Sequence, residues 1–313
     1  MMKALKIVIS IGLVFSSIMP FILLLMPGSL GYRDTDIEVI LNCSLPEAPK
    51  QMPVLEVLRY EYTIDEALNI AADLFNITGN VEVIYRPRPT GDMAIEITDG
   101  KKSLTLFFEG AVEYTTPEWG SPAHIPSKLP SPSRAREIAN AFLNKVRSFG
   151  LIPDGIEPVY QEVRPGERSV MNETSWTNYL DVVYKITYKG YLIIGPSSEI
   201  TVSIGDRGRI VAFFGDWRRL SVAERLVDII TPEEALNQLK AQLRSRSPIR
   251  RAARISKVII DEVEIAYWAE PVLEEQDELL PAYNFKGVMI FNDGKTWEFN
   301  LLAISAVSGE MLP

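Results

Sequence analysis

The sequence is poor in the two residue types that supply most covalent cross-links and metal sites. Its 313 residues include one cysteine, Cys43, and one histidine, His124. A single cysteine cannot form an internal disulfide, and one histidine without a cysteine cluster excludes the familiar multi-histidine zinc sites. Basic residues are also in deficit, with 32 lysines and arginines against 41 aspartates and glutamates. This balance argues against nucleic acid as a partner, because phosphates demand concentrated positive charge.

The rest of the composition is that of a folded protein. Hydrophobic residues make up 47% of the chain and charged residues 23%, which is enough apolar material for a packed core and excludes global disorder. At roughly 150 residues per domain, the length predicts about two domains.

One long apolar run extends from Ile7 to Met26, after a start that carries Lys3 and Lys6. Its 20 residues match, at helical rise, a hydrocarbon core of about 30 Å. The positive-inside rule keeps the N-terminus in the cytoplasm and places residues after about 30 outside the cell. We therefore expect a single-pass protein of the cell membrane whose exported part carries 30 basic and 41 acidic residues.

Whether this segment is retained or removed is a separate question. The small residues Ser29 and Gly31 around Leu30 fit a signal-peptide cleavage site. The apolar run is longer than a usual signal-peptide core, and this favours a retained signal anchor over cleavage. If cleavage does occur, the protein is secreted.

Three helix starts are predicted by their capping residues. Thr63 and Glu66 form a capping box, in which each side chain bonds the other residue's backbone. Ser131 before Pro132 begins a second helix, and Thr231 before a proline and two glutamates begins a third.

Short alternating segments, typical of half-buried strands, follow each helix. They lie at residues 81–86, 93–98 and 104–108, then 182–188, 200–204 and 209–214, and finally 263–267, 288–291, 295–299 and 302–307. The predicted fold class is α+β, with repeated units of one helix packed on an antiparallel meander after the N-terminal transmembrane or signal helix.

This pattern divides the chain into five parts. They are a signal anchor at 1–30, a proline-rich spacer at 31–60, a first helix-plus-sheet unit at 61–115, a second at 131–220 and a third at 231–313. The proline-rich segment 115–133 separates the first two units, and residues 221–230 connect the second to the third.

Residues 183–195 resemble the strand, Tyr-x-Gly turn and strand of thermolysin-type propeptides. Residues 231–236 resemble the helix opening of PepSY domains, and residues 280–285 and 306–310 resemble the later strands and closing turn of those domains. The resemblance covers roughly residues 131–313 and implies a cystatin-like fold. An anchored chain of such units is also similar, more weakly, to YycH/YycI-type regulators, which restrain a sensor kinase.

Three Asn-x-Ser/Thr sequons, at Asn42, Asn76 and Asn172, are candidate glycosylation sites of an exported chain. Such triplets also arise by chance in a chain of this length.

An arginine run near the third helix is a candidate docking patch for an anionic partner or lipid headgroups. It contains Arg244, Arg246, Arg250, Arg251 and Arg254. A solvated helix end, where cations complement the helix dipole, is the favoured alternative.

An acidic run comprises Glu274, Glu275, Asp277 and Glu278. It lacks the spacing and the glycine turn of a calcium loop, which favours a solvated loop. His124 is interpreted as a linker residue and Cys43 as a small apolar residue or free thiol, since neither has a predicted catalytic neighbour. No catalytic, metal-binding or cofactor-binding residue is predicted.

The resemblance implies a non-catalytic extracytoplasmic protein that acts through protein–protein contacts, by inhibiting a peptidase or by regulating a membrane sensor. The partner would be another extracytoplasmic or membrane protein. Two alternatives remain open: a secreted hydrolase with an unrecognised site, and a structural envelope protein.

Overall fold

The computed structural model describes residues 37–87, 93–121, 126–170, 174–245, 255–272 and 274–312. It is an α+β protein. Strands account for 48% of the described residues, which also form four helices. In chain order the elements are β1 (Glu38–Leu41), β2 (Gln51–Leu58), α1 (Ile64–Asp73), β3 (Glu82–Pro87), β4 (Met93–Thr98), β5 (Ser103–Phe107), β6 (Val112–Thr115), α2 (Pro117–Gly120), α3 (Pro132–Ser148), β7 (Ile156–Val170), β8 (Thr174–Tyr188), β9 (Tyr191–Ile194), β10 (Glu199–Ile204), β11 (Ile210–Gly215), β12 (Arg219–Asp228), α4 (Pro232–Ser245), β13 (Ile255–Trp268), β14 (Glu278–Leu279), β15 (Pro281–Phe291), β16 (Thr296–Phe299) and β17 (Ala303–Ser305).

The three predicted helix starts are confirmed. Before α1, the Thr63 hydroxyl accepts a hydrogen bond from the Glu66 N–H at 3.2 Å, and the Glu66 carboxylate accepts one from the Thr63 N–H at 3.4 Å. The Ser131 hydroxyl caps α3 and the Thr231 hydroxyl caps α4 in the same way. Each cap satisfies an N–H group that has no partner within its helix.

The described chain forms two compact units. The first contains residues 55–222 and 269–279, and the second contains residues 37–54, 223–268 and 280–312.

The first unit is built on an antiparallel sheet in the order β9-β8-β10-β11-β6-β5-β4-β3, with β7 paired to β8. Helices α1 and α3 pack on one face of this sheet through aromatic side chains. Phe142 of α3 lies 6.0 Å from Phe75, just after α1, and 5.2 Å from Phe213 of β11, as measured between ring centroids. These edge-to-face contacts are the preferred geometry for packed aromatic rings.

In the second unit, β13 pairs antiparallel with β15, whose far side holds β16 and β17. Helix α4 covers one face, with Leu239 packed in a core that includes Tyr283 and Phe285. The expectation of purely antiparallel sheets is wrong here, because β1 pairs parallel with β13, Glu38 opposite Lys257. A parallel pair needs a long crossover connection. More than 200 residues separate these two strands, so the sequence around either strand does not indicate that they pair.

The predicted spacer at residues 31–60 is wrong as to structure, because β1 and β2 lie within it. Val54 and Leu55 of β2 are fully buried. The prolines Pro46 and Pro49 precede β2, and Pro53 lies inside it, where its carbonyl accepts a hydrogen bond from Tyr267. The prolines of this segment therefore do not prevent it from forming strands.

Two further segments differ from expectation. Residues 221–230, predicted as a connection, fall largely within β12. No periodicity predicts β7, whose outward side carries exposed residues such as Val159 among charged ones. Pairing partners set the burial of both strands: β8 follows β7 directly in the chain, whereas β2, the partner of β12, lies far away in sequence.

The apolar run from Ile7 to Met26 lies outside the described residues. Across the described ranges, no helix has both the length and the apolar character needed to cross a bilayer.

Replacing Leu55 with alanine tests whether β2 belongs to the fold. We expect Leu55→Ala to lower the free energy of unfolding by about 2–5 kcal/mol, since it empties a fully buried site. Leu58→Ala, in the same strand but 46% exposed, should cost about 0.5 kcal/mol. Urea denaturation followed by tryptophan fluorescence measures both, and equal small effects would contradict the assignment.

Candidate functional site

The most buried charged groups in the first unit are Arg218 and Glu109, which form an ion pair. Their side chains are 1% and 3% exposed. Arg218 Nη1 donates to Glu109 Oε2, and the neighbouring Trp217 Nε1 donates to the Gly110 carbonyl at 2.8 Å. The chain just after β11 is thus attached twice to the turn between β5 and β6.

The second guanidinium nitrogen of Arg218 faces residues 269–279, which we call the strap. Arg218 Nη2 donates to the carbonyl oxygens of Glu270, Pro271 and Glu274 at 3.1–3.2 Å. Val272 of the strap packs against a small apolar cluster of Ala94, Phe107 and Ala111. A buried cation and an apolar contact thus both help to hold the strap.

The acidic run of the sequence lies in this strap. Arg59 Nη2 lies 3.0 Å from Glu275 Oε1 and 3.4 Å from Asp277 Oδ1, while Glu278 lies in β14. Within the described ranges, no group of three or more histidine, cysteine, aspartate or glutamate side chains is arranged to hold a metal ion. Arginine and backbone contacts thus account for the position of this run.

A second charged feature is Asp216, the residue after β11. Its N–H donates to the Glu199 carbonyl of β10 at 3.1 Å, and Glu113 lies on β6, the other neighbour of β11. Part of Asp216 reaches solvent, but protein atoms surround most of its carboxyl group. Burial first, and then the negative charges of Glu113 and Glu199, raise the pKa of Asp216 to about 7.

Asp216 can therefore exchange a proton near neutral pH. A cavity of about 270 Å³ lies elsewhere, along α3, and is lined by residues such as Arg134, Phe142 and Ile210. Asp216, Glu113 and Glu199 are not among the residues that line this cavity.

Two of the three sequons are described, and both asparagines are exposed. Asn42 follows β1, and its Nδ2 donates to Asp261 Oδ1 at 3.0 Å. Asn76 adopts a left-handed backbone conformation with φ of 52° after α1, and its carbonyl accepts from Lys102 Nζ at 2.7 Å. Asn172 lies outside the described residues. Glycosylation at these positions stays a prediction.

The arginine docking patch also stays a prediction. Arg244 lies in the last turn of α4, and the other four arginines, at positions 246, 250, 251 and 254, lie outside the described residues, as does His124. Cys43 is half-buried against the core of the second unit. Burial, with smaller contributions from Asp261 and Glu262, raises the pKa of its thiol and favours the neutral form.

No protein-family model and no curated protein matches this sequence. The candidate features must therefore be judged on their own geometry.

Sequence reasoning missed the Arg218–Glu109 pair and Asp216. The paired residues lie 109 positions apart, and Asp216 becomes unusual only when the fold buries it and brings Glu113 and Glu199 beside it. The one local signal was Glu109-Gly110, a turn in which an acidic residue precedes a glycine with φ of 114°.

Asp216→Asn tests the proton site through the pH dependence of stability. The folded-state pKa of about 7 exceeds the ordinary value of 3.8, so the folded protein binds the proton more tightly than the unfolded chain does. The contribution of Asp216 to stability is fully present below about pH 4 and is lost as the pH rises through about 7, a loss of about 4 kcal/mol.

We expect Asp216→Asn to be more stable than the wild type near pH 8.5 and similar to it near pH 4, as measured by urea denaturation at roughly these two values. The control Asp73→Asn, at an exposed position on α1, should leave the wild-type pH profile unchanged. If wild type and Asp216→Asn lose stability equally between the two pH values, the assignment is wrong.

Proposed function

We propose that this protein is a membrane-anchored, extracytoplasmic binding protein that is non-catalytic and acts through protein–protein contacts. Its partner would be a peptidase, which it inhibits, or the outer part of a membrane sensor, which it regulates. We further propose that the chain is built of repeated helix-plus-meander units of the PepSY and thermolysin-propeptide type. Its similarity to YycH/YycI-type regulators is weaker.

The second unit supports this proposal by its arrangement. One helix, α4, lies on a sheet whose strands β13, β15, β16 and β17 follow one another along the chain. The Thr231 cap of α4 and the turn after β17 lie in residues 231–236 and 306–310, two of the segments on which the resemblance to PepSY domains rests.

The observation that carries the proposal is the edge strand β16. It pairs with β15 on one side, and no strand pairs with its other side in the part of the chain that the structure describes. Trp297, in the middle of β16, lies opposite Met289 and so projects from the same face as α4, yet 54% of it is exposed.

An edge strand offers unpaired backbone N–H and C=O groups to an extended segment of another protein. An exposed tryptophan beside such an edge provides a large, rigid contact of the kind that dominates binding energy in interfaces. A partner strand added to β16 would bury Trp297 and satisfy the backbone groups together.

The localisation rests on the apolar run from Ile7 to Met26 and on the acidic remainder of the chain. With the N-terminus inside, both units lie outside the membrane, where they meet other exported proteins.

One observation favours the alternative of a secreted hydrolase. A carboxyl group with a pKa of about 7, such as Asp216, suits general acid–base catalysis. It would need a substrate cavity at the carboxylate, and the cavity along α3 is lined by other residues.

Photocrosslinking at position 297 tests the proposed contact. A photoreactive amino acid is placed there in the full chain, expressed in the membranes of the source cells, and the attached proteins are identified by mass spectrometry. Crosslinking at exposed Glu233 of α4 serves as the control.

We expect one protein to be attached from position 297 and absent from position 233. In the otherwise native chain, Trp297→Ser should reduce co-purification of that protein by about thirtyfold. The melting temperature of the variant should stay close to that of the wild type, because the side chain is exposed. Identical products from both positions would overturn the proposal.

A further inference from the structure

The first unit carries a second surface, built from exposed apolar side chains around Tyr60, which we call the Tyr60 surface. Its apolar members are Leu58 at the end of β2, Tyr60, Ile64 at the start of α1 and Phe149 just after α3, all of which are exposed. They come from three elements, and each would be expected inside a core or an interface. Concentrated exposure of large apolar groups marks interaction sites.

Tyr60 is held in a fixed position. Its N–H donates to the Phe108 carbonyl at 2.7 Å and its hydroxyl to Glu66 Oε1 at 2.6 Å. The edge of the Tyr62 ring lies against it, with ring centroids 4.9 Å apart. The hydrogen bond to Glu66 also raises the pKa of Tyr60, so the hydroxyl stays protonated as a donor. A ring fixed in this way loses little conformational entropy when a partner covers it.

Arg219 joins the parts of this surface. Its guanidinium lies 4.5 Å from the centre of the Tyr60 ring, a cation–π contact. Its Nη2 donates to the Tyr62 hydroxyl and to the Gly150 carbonyl, both at 3.3 Å. Gly150 follows Phe149, so Arg219 ties the end of α3 to the chain that enters α1.

The Tyr60 surface is strongly acidic at its margin. Residues 56–66 carry four carboxylates, Glu56, Glu61, Asp65 and Glu66, and Arg59 pairs with two more, Glu275 and Asp277, against the two guanidinium groups of Arg59 and Arg219. Both guanidinium groups are engaged, Arg59 with the strap carboxylates and Arg219 with the tyrosines. Glu61 and Asp65 are exposed and have no ion-pair partner among the described residues.

We propose that the Tyr60 surface binds a segment of a partner protein that carries both basic and apolar side chains. The apolar side chains of the segment cover Tyr60, Ile64 and Leu58, and its lysines or arginines pair with Glu61 and Asp65. Charge complementarity of this kind sets both the choice of partner and the rate of encounter. The same charge repels an anionic membrane, and a second copy of this acidic chain would bring like charges together.

This surface goes beyond the proposed contact at β16, because different residues in a different unit form it. Variants at Trp297 and variants at Tyr60 therefore test the two proposals separately.

The probe is a short synthetic peptide of alternating lysine and leucine, with an alternating glutamate and leucine peptide as its matched control. Binding to the full chain in detergent is followed by fluorescence anisotropy.

Two changes address the surface: Tyr60→Ala, and the double charge reversal Glu61→Lys with Asp65→Lys. Their controls are Tyr191→Ala, an exposed tyrosine elsewhere, and Asp154→Lys with Glu233→Lys, which alters the net charge equally at exposed positions.

We expect the lysine–leucine peptide to bind, and each surface variant to weaken binding by about tenfold or more. Each control should stay within about twofold. Because Glu61 and Asp65 are exposed, the double reversal remains informative even if Tyr60→Ala unfolds the protein. Equal weakening by the two charge reversals would overturn the proposal, since it would mean binding to net charge alone. Binding of the glutamate–leucine peptide, or no binding of either peptide, would also overturn it.

Discussion

A buried ion pair, Arg218 with Glu109, is the interaction on which the first unit depends. Transfer of two charges out of water costs several kcal/mol per ion, and the pair is tolerated only when hydrogen bonds use the remaining groups. Arg218 uses its two terminal nitrogens in this way, since Nη1 donates to Glu109 and Nη2 to three strap carbonyls. Those carbonyls need donors, because the strap has little secondary structure of its own. The charge and the irregular backbone therefore stabilise each other.

This arrangement has consequences for the surface. Arg218 fixes residues 269–279 from inside, and Arg59 fixes the same strap from outside through Glu275 and Asp277. Arg59 lies next to Tyr60, so the acidic strap and the aromatic side chains are presented together. Arg219, the residue after Arg218, reaches Tyr60 itself. The buried ion pair and the proposed Tyr60 surface thus share one short stretch of chain.

The sequence predicts those features that local interactions decide. Thr63, Ser131 and Thr231 cap helices because their hydroxyls lie within reach of N–H groups three residues ahead. It does not predict β1, because nothing near Glu38 indicates a parallel partner at Lys257. Likewise, Glu109, Asp216 and Tyr60 look ordinary in the sequence. The fold gives them their properties, by placing Arg218 beside Glu109, by burying Asp216 near Glu113, and by placing Arg219 beside Tyr60.

The role of the buried pair is tested most directly by the unfolding free energy of Glu109→Gln, with the exposed pair Arg134–Glu137 as reference. Glu109→Gln leaves a buried cation and should cost about 3–5 kcal/mol, whereas Glu137→Gln should cost about 0–1 kcal/mol. Hydrogen exchange in Glu109→Gln should rise at residues 269–279. Adding Arg218→Met should not restore the lost stability, because the strap carbonyls of Glu270, Pro271 and Glu274 then lose their donor. A loss no larger than that of Glu137→Gln, with an unchanged strap, would contradict the account.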